Sequence, residues 1–446
     1  MFEEYDALVK NGTWALVPPN SSQYLVGCKW IFRTKRKSDG SIDRFKARLV
    51  AKGFHQHPRI DYHDTISPIV KPTTVRIILS IVVNHGWSLR QLDVNNVFLQ
   101  GHLSENVYML QPPGFVDNDN PSYVCKLNKT IYGLKQAPRA WYHELRNFLL
   151  QFGFQNSYVD TLLFVFHADG HTMYLLVYVD DSILIVVPNK HGLLLSQRRY
   201  ILDLLTQTKM QDAKTIPTPI PTSPTLMLNS DITFAVNKLS QYMHCPTTAH
   251  WFFVKRLLRY LVGTVDDGLQ LYKDSTLNLH AFSDTSLSLQ AFSDVDWAGD
   301  KDIFCSIDVY VVYLDINPIF WSSKKQRTVA RSSTEVEYRS VANTVAELNF
   351  ICYLLTDLGI SLPSCPVIYY DNIGATQLCS NPIFHSRIKH VAIDFHFITD
   401  QVQNGALRVA HVSSKDQLAD ALTKPLPRQH FLQLKHKIGL LSQAPS

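Results

Sequence analysis

The chain has 446 residues, enough for about two to four domains. Apolar residues make up 46% and charged residues 18%, which supplies material for real cores and excludes wholesale disorder. No apolar run approaches the ~18 residues of a membrane span, and the seven scattered cysteines form no CxxC pair, which excludes a disulfide framework and a zinc ribbon.

The formal net charge is only +5, but it is unevenly placed. Residues Cys28 to Ile60 carry ten Lys/Arg and two Asp, a local +8, so the rest of the chain sums to −3. The basic residues alternate with Trp30, Ile31, Phe32, Phe45, Leu49, Val50 and Phe54. That alternation predicts a hairpin with one packed face and one basic face, turning at Ser38-Asp39-Gly40-Ser41. A basic hairpin suits phosphates, of a duplex or of a nucleotide. The run alone also fits a solvated strand face.

Thr73 to Asn84, after Pro72, has Val75, Ile78, Leu79 and Val82 on one helical face. Asp93 follows at the end of the strand-like LRQLDVNN. Pro138 opens a second helix with Trp141, Leu145, Phe148, Leu149 and Phe152 on its apolar side, ended by Gly153. Just before it, Gly133 permits close backbone approach and Lys135 offers a cation. Tyr178-Val179-Asp180-Asp181 lies between MYLLV and SILIVV, which predicts a hairpin with two carboxylates at its turn. Two adjacent carboxylates repel unless a cation neutralises them, although an exposed turn also favours Asp. Asp93, Asp180 and Asp181 together could hold two Mg²⁺ ions for phosphoryl transfer.

Thr215 to Pro224 holds four prolines and reads as a linker. Thr247/Thr248 can cap a helix with Trp251, Val254, Leu257, Leu258 and Leu261 on one face and Gly263 as its stop. Leu277–Ser286 and Leu287–Asp296 match at six of ten positions, a local duplication of one strand. Only one copy can occupy that strand's place in a sheet. From about Leu277 the pattern is that of an α/β module. Within it, Asp294, Glu337, Asp371 and Asp420 lie at strand ends or on helices, where four acids can converge on two metals. Glu335 competes with Glu337, but Ser332-x-x-Glu335 is a capping box, which leaves Glu337 freer to face a site. Asp284 competes with Asp294. His411 and the His385–His390 stretch fit substrate contacts or surface polar residues.

The runs NGTWALVPP, CKWIFRTKRKSDGSIDRFKARLVAKGF, LDVNNVFLQGHL, VYMLQPPGF, LNKTIYGLKQAPRAWY and YVDD, in this order, resemble the reverse transcriptase of copia-type LTR retrotransposons. They cover nearly all of residues 1–187. The resemblance implies an α/β (α+β) chain: fingers and palm over 1–188, a shortened thumb/connection region over 189–265, and an RNase H-like domain over 266–446. It implies an RNA-directed DNA polymerase with ribonuclease H activity and two Mg²⁺ ions per active site. Asp93, Asp180 and Asp181 match the palm metal ligands, and Phe98 matches the aromatic gate against the ribose 2′-hydroxyl. Lys46 and Arg48 fall in the strand that holds the incoming triphosphate. Tyr132, Gly133 and Lys135 belong to the loop beneath the nascent base pair. Asp294, Glu337, Asp371 and Asp420 match the RNase H acids, and the DWAGD-like continuation after Asp294 selects it over Asp284.

The implied partners are an RNA template, a DNA primer, an RNA–DNA hybrid and dNTPs, with no membrane. The acidic start MFEEYDALVK lacks an apolar signal core, so an intracellular location is expected. Two family segments are missing, after Val187 and at Leu228–Asp231. Their loss should expose apolar surface and loosen the YVDD hairpin. KDIFCSIDVYVVYL also departs from the family's strand sequence.

Overall fold

The structure is a computed structural model. It describes residues 1–20, 23–36, 41–65, 70–92, 97–168, 171–177, 185–189, 191–219, 235–236, 239–273, 288–296, 306–326, 333–380, 392–423 and 426–442. The fold is mixed α/β, in two compact units: Met1–Val70 with Arg90–Asp180, and Lys71–Leu89 with Asp181–Ser446.

The first unit is built on an open sheet in the order Trp14–Val17, Val124–Lys129, His102–Met109, Leu25–Val26. The predicted basic hairpin is Cys28–Arg36 paired antiparallel with Ile42–Ala51. Its register sorts the side chains by face, since neighbours along a strand point opposite ways. Cys28, Trp30 and Phe32 lie opposite Ala51, Leu49 and Ala47; Lys29, Ile31 and Arg33 lie opposite Val50, Arg48 and Lys46. The apolar face packs only at its base. Cys28, Leu49 and Ala51 join the core with Val107, Met109, Leu127 and Ile131. Farther out Phe32 is 66% and Phe45 77% exposed, so the expected packed face is half formed. The helix Ala137–Gln151 has Pro138 in its first turn, as expected. It buries Trp141 and Leu149, but Phe148 and Phe152 stay exposed, their rings meeting at a 40° tilt with centroids 5.0 Å apart.

In the second unit a five-stranded sheet runs in the order Asn317–Lys325, Ile307–Leu314, Leu289–Asp296, Val367–Tyr370, Arg408–His411. The first three strands are antiparallel and the last two join in parallel. The long helix Ser333–Asp357 packs on the strand Leu289–Asp296. The second copy of the duplication thus occupies the strand, while the first copy, with Asp284, lies outside the described residues. The divergent segment still forms a strand, because every residue of Ile307–Leu314 is buried.

The division into units differs from the sequence expectation of 1–188, 189–265 and 266–446. The helix Pro72–His85 belongs to the second unit. Its Leu79 and Val83 pack on Leu193, Leu195, Leu269 and Leu271. Arg76 stacks 3.7 Å above the Trp321 ring and donates to the Ile319 carbonyl at 3.3 Å. Burial lowers this guanidinium to about 10. The segment 189–265 is likewise no separate body. Gly192–Ser196 pairs with Asp267–Tyr272, and Leu205 packs on Leu258 and Leu261 between the helices Arg198–Gln207 and Thr248–Gly263.

Two further corrections follow from packing. The strands His171–Leu176 and Ile185–Asn189, which flank Tyr178–Asp181, were expected to pair. Instead they join Leu163–Ala168 and Gly192–Ser196 in separate sheets. The shortened sequence brings Gly192 opposite Asn189, so the nearest antiparallel partner is the strand that follows directly. The Pro-rich linker also packs where described. Ile216 lies against a core cluster, and Thr218 accepts a hydrogen bond from Arg256. The helix after it is capped as expected, by Thr247 in a reciprocal pair with His250, yet Trp251 is 53% exposed.

Candidate active site

Three of the four predicted C-terminal acids meet. Asp294 comes from the strand Leu289–Asp296, Asp371 follows the strand Val367–Tyr370, and Asp420 lies in the 3-10 turn Leu418–Leu422. One carboxylate oxygen from each lies within 4.8 Å of the others. Parallel pairing sets this convergence, because it brings Ala291 and Phe292 beside Ile368 and Tyr369, so both strands end on the same side. Asp294 and Asp420 are buried, and Asp371 is half-buried.

Glu337, on the long helix, faces the same carboxylates. Burial raises its pKa, a hydrogen bond from Asn372 opposes this, and the charges of Asp371 and Asp294 raise it further. Its Oε2 is buried without a hydrogen-bond partner among the described residues. Glu335, the competitor, is also buried but is bound to Arg339 at 2.8 Å. The capping residue expected for it, Ser332, lies outside the described residues.

A second layer holds the acids. Thr423 Oγ1 donates to Asp294 Oδ2 at 2.6 Å, and Ser414 Oγ donates to Asp371 Oδ2 at 3.0 Å. Ser340 Oγ donates to the Asp294 carbonyl at 3.2 Å. None of these was singled out in the sequence. The available signal was adjacency, since Asn372 and Thr423 sit one and three residues after a candidate acid. Close carboxylates with a buried unsatisfied oxygen form a hard, all-oxygen donor set that suits a divalent cation. His411 ends the strand Arg408–His411, and His385–His390 lie outside the described residues.

Asp308, on the strand Ile307–Leu314, is a buried acid the sequence reading missed. Gln326 Nε2 donates to it, as does Asn343 Nδ2 at 2.6 Å. Burial still pushes its carboxyl from the ordinary 3.8 up to about 6. A raised folded pKa contributes stability that is full below pH 3.8 and is lost as pH rises through about 6. The loss amounts to about 3 kcal/mol at most. Asp308→Ser should therefore flatten the fall in stability between those pH values. Urea unfolding across that range checks this, and a slope equal to wild type would exclude Asp308 as its source.

In the first unit the structure brings together Arg48, Tyr132, Gly133 and Lys135. The Arg48 guanidinium lies 4.5 Å over the Tyr132 ring, and its Nε is buried without a hydrogen-bond partner among the described residues. The Tyr132 carbonyl accepts from the Ala51 amide at 2.8 Å. Gly133 has φ +90° and sits against the Ala51 carbonyl. The Lys135 amide donates to Gln56 Oε1 at 2.9 Å, and its Nζ donates to the Tyr62 hydroxyl at 3.1 Å. Buried Gln56 and Gln136 bond to each other, an anchor of the loop that the sequence reading did not identify.

Lys46 lies directly opposite Arg33 on the basic face. Like charges in that position repel and favour an anion between them. Asp93, Asp180 and Asp181 lie outside the described residues. Phe98 falls in the 3-10 helix Val97–Gln100, and its side chain is outside the description. No helix among the described residues is long and apolar enough to cross a membrane.

Residues 11–194 match the reverse transcriptase (RNA-dependent DNA polymerase) family. The whole chain is 52% identical to the retrovirus-related Pol polyprotein from transposon RE2 of Arabidopsis thaliana, covering 34% of that protein. It is 32% identical, over 99% of its length, to the Pol polyprotein from transposon TNT 1-94 of Nicotiana tabacum, covering 38% of it. The RE2 alignment runs over 505 positions although this chain has 446 residues, so the relative carries segments that are missing here. Among solved structures, a foamy viral protease-reverse transcriptase in complex with dsDNA aligns with 92% of this chain and 68% of its own. That likeness is slight, with 11% identity and a TM-score of 0.41. The chain thus spans about a third of the length of the curated relatives it matches. Motif order, the family match and identity along the whole chain agree: it belongs to the copia-type retrotransposon Pol polyproteins.

Proposed function

We propose that the second unit hydrolyses the RNA strand of an RNA–DNA hybrid, with Asp294, Glu337, Asp371 and Asp420 holding two Mg²⁺ ions. The meeting of three carboxylates from three separate elements, with Glu337 facing them, carries this reading. Bound there, the ions would activate water and neutralise charge on the phosphodiester. Burial first, and the charges of Asp371 and Asp294, raise the Glu337 pKa, so binding to its carboxylate weakens as pH falls.

In the same reading the first unit belongs to an RNA-directed DNA polymerase. Asp93, Asp180 and Asp181 hold its ions, Lys46 and Arg48 contact the triphosphate of a dNTP, and Phe98 gates the ribose. Tyr132, Gly133 and Lys135 lie beneath the base pair formed by the RNA template and DNA primer. The basic hairpin face and its join to the Tyr132 loop support this. The segments missing relative to RE2 favour a second reading for this half, a nucleic-acid-binding remnant without polymerisation.

Hydrolysis of end-labelled RNA in a hybrid, with Mg²⁺ and with EDTA, tests the first assignment. Cleavage that survives Asp294→Asn would overturn it. Primer extension on an RNA template tests the second. Weak or no extension is expected, and any extension unaffected by Asp180→Asn would belong to another site. The remnant reading requires hybrid binding that weakens steeply with salt.

A further inference from the structure

We propose that Thr423 is a positioning residue that orients the Asp294 carboxylate for the cation, an inference that rests on the four-acid reading above. Thr423 is 1% exposed, and its hydroxyl carries a single proton. Two acceptors lie near: Asp294 Oδ2 at 2.6 Å and the Asp420 carbonyl at 3.4 Å. The contact to the carboxylate oxygen is much the shorter, so the proton goes to Asp294. One oxygen of Asp294 is thereby held, and the carboxylate cannot rotate freely about its last bond.

The location of Thr423 matters as much as its bond. Its amide donates to the Asp420 carbonyl at 3.3 Å and closes the turn that carries Asp420. The same side chain therefore reaches from the turn of one acid to the carboxylate of another. At the other end of the turn, buried Gln417 donates to the Ser293 carbonyl at 2.8 Å. The turn is stitched to the strand at two adjacent residues, Ser293 through its backbone and Asp294 through its side chain. Gln417 fixes where the turn sits. Thr423 fixes how the carboxylate points. Partners of this kind affect metal affinity without touching the ion.

The test is Mn²⁺ binding to the full chain, followed by the electron paramagnetic resonance signal of free Mn²⁺. The parent carries Asp180→Asn and Asp181→Asn, which removes two acids of the other candidate site. Thr423→Val replaces the hydroxyl by a methyl group and should weaken Mn²⁺ binding about 10-fold or more. Thr423→Ser keeps the hydroxyl and should bind within about twofold of the parent, well short of the Thr423→Val loss. Thr423→Ala removes the hydroxyl with a smaller side chain, and should show the Thr423→Val loss even if the latter fails to fold. Parent-like binding by Thr423→Val or Thr423→Ala overturns the proposal, as does an equal loss in Thr423→Ser. Asp294→Asn in the same background separates the two levels of inference. If it binds Mn²⁺ as the parent does, the four-acid site itself is wrong. If it loses binding while Thr423→Val does not, only the role of Thr423 falls.

Discussion

Asp371→Asn is expected to raise the unfolding temperature of the protein in EDTA and to abolish most of the stabilisation that Mg²⁺ confers. The opposite signs come from one cause. Asp371 lies within 4.8 Å of two other carboxylates, with Glu337 facing the same group. Two unit charges at that distance repel by about 3 kcal/mol at an effective dielectric constant of 20. Asp371 is only half-buried, so solvent discounts this to about 1–2 kcal/mol. That corresponds to a rise of a few degrees for a unit of this size. The amide keeps an oxygen to accept from Ser414, so packing is little changed. With Mg²⁺ the order reverses, because wild type gains binding energy that the variant loses. Hybrid hydrolysis should fall by about 10³-fold or more, since several kcal/mol of charge stabilisation is removed. Thermal melts of both proteins with EDTA and with Mg²⁺ check the prediction. A variant less stable than wild type in EDTA would show that the carboxylates do not repel as placed.

Gly133→Ala should strongly destabilise the first unit. A Cβ there would lie 2.2 Å from the Ala51 carbonyl oxygen and 2.7 Å from Val50 Cγ1. The oxygen is backbone and cannot swing aside. The residue also has φ +90°, a conformation that L side chains rarely adopt. Overpacking and backbone strain each cost about 1–3 kcal/mol, so a loss of about 3 kcal/mol or more is expected. The bond from the Ala51 amide to the Tyr132 carbonyl should break, which frees the base of the basic hairpin. Hydrogen exchange at the Ala51 amide and urea unfolding read this directly. Wild-type protection at Ala51 in the variant would mean the strand and loop do not approach as closely as described.

Much of the site was legible along the chain. The alternation of charge and apolar residues over Cys28–Ala51 specified a hairpin with two unlike faces, and the register bears that out. The apolar face was over-read, because alternation says which way Phe32 and Phe45 point but not whether anything lies there. The choice of Glu337 over Glu335 rested on a capping box with Ser332, which lies outside the described residues; Glu335 is instead paired with Arg339, a contact the sequence reading did not identify. The YVDD turn itself, Tyr178–Asp181, lies outside the described residues. Two apolar runs flanking a turn look like partners, but Ile185–Asn189 has a nearer partner in Gly192–Ser196.

By itself the sequence determined most of the elements and the order of the motifs. These depend on neighbours along the chain, where period, caps and turn residues act within a few positions. Only the tertiary structure decided which acids meet, that the helix Pro72–His85 packs with the second unit, and that Thr423 holds Asp294. Those outcomes are set by strand order and by the burial of apolar faces against distant partners. Asp294 and Asp371 become neighbours because a sheet aligns the ends of its strands, and no local pattern encodes that distance.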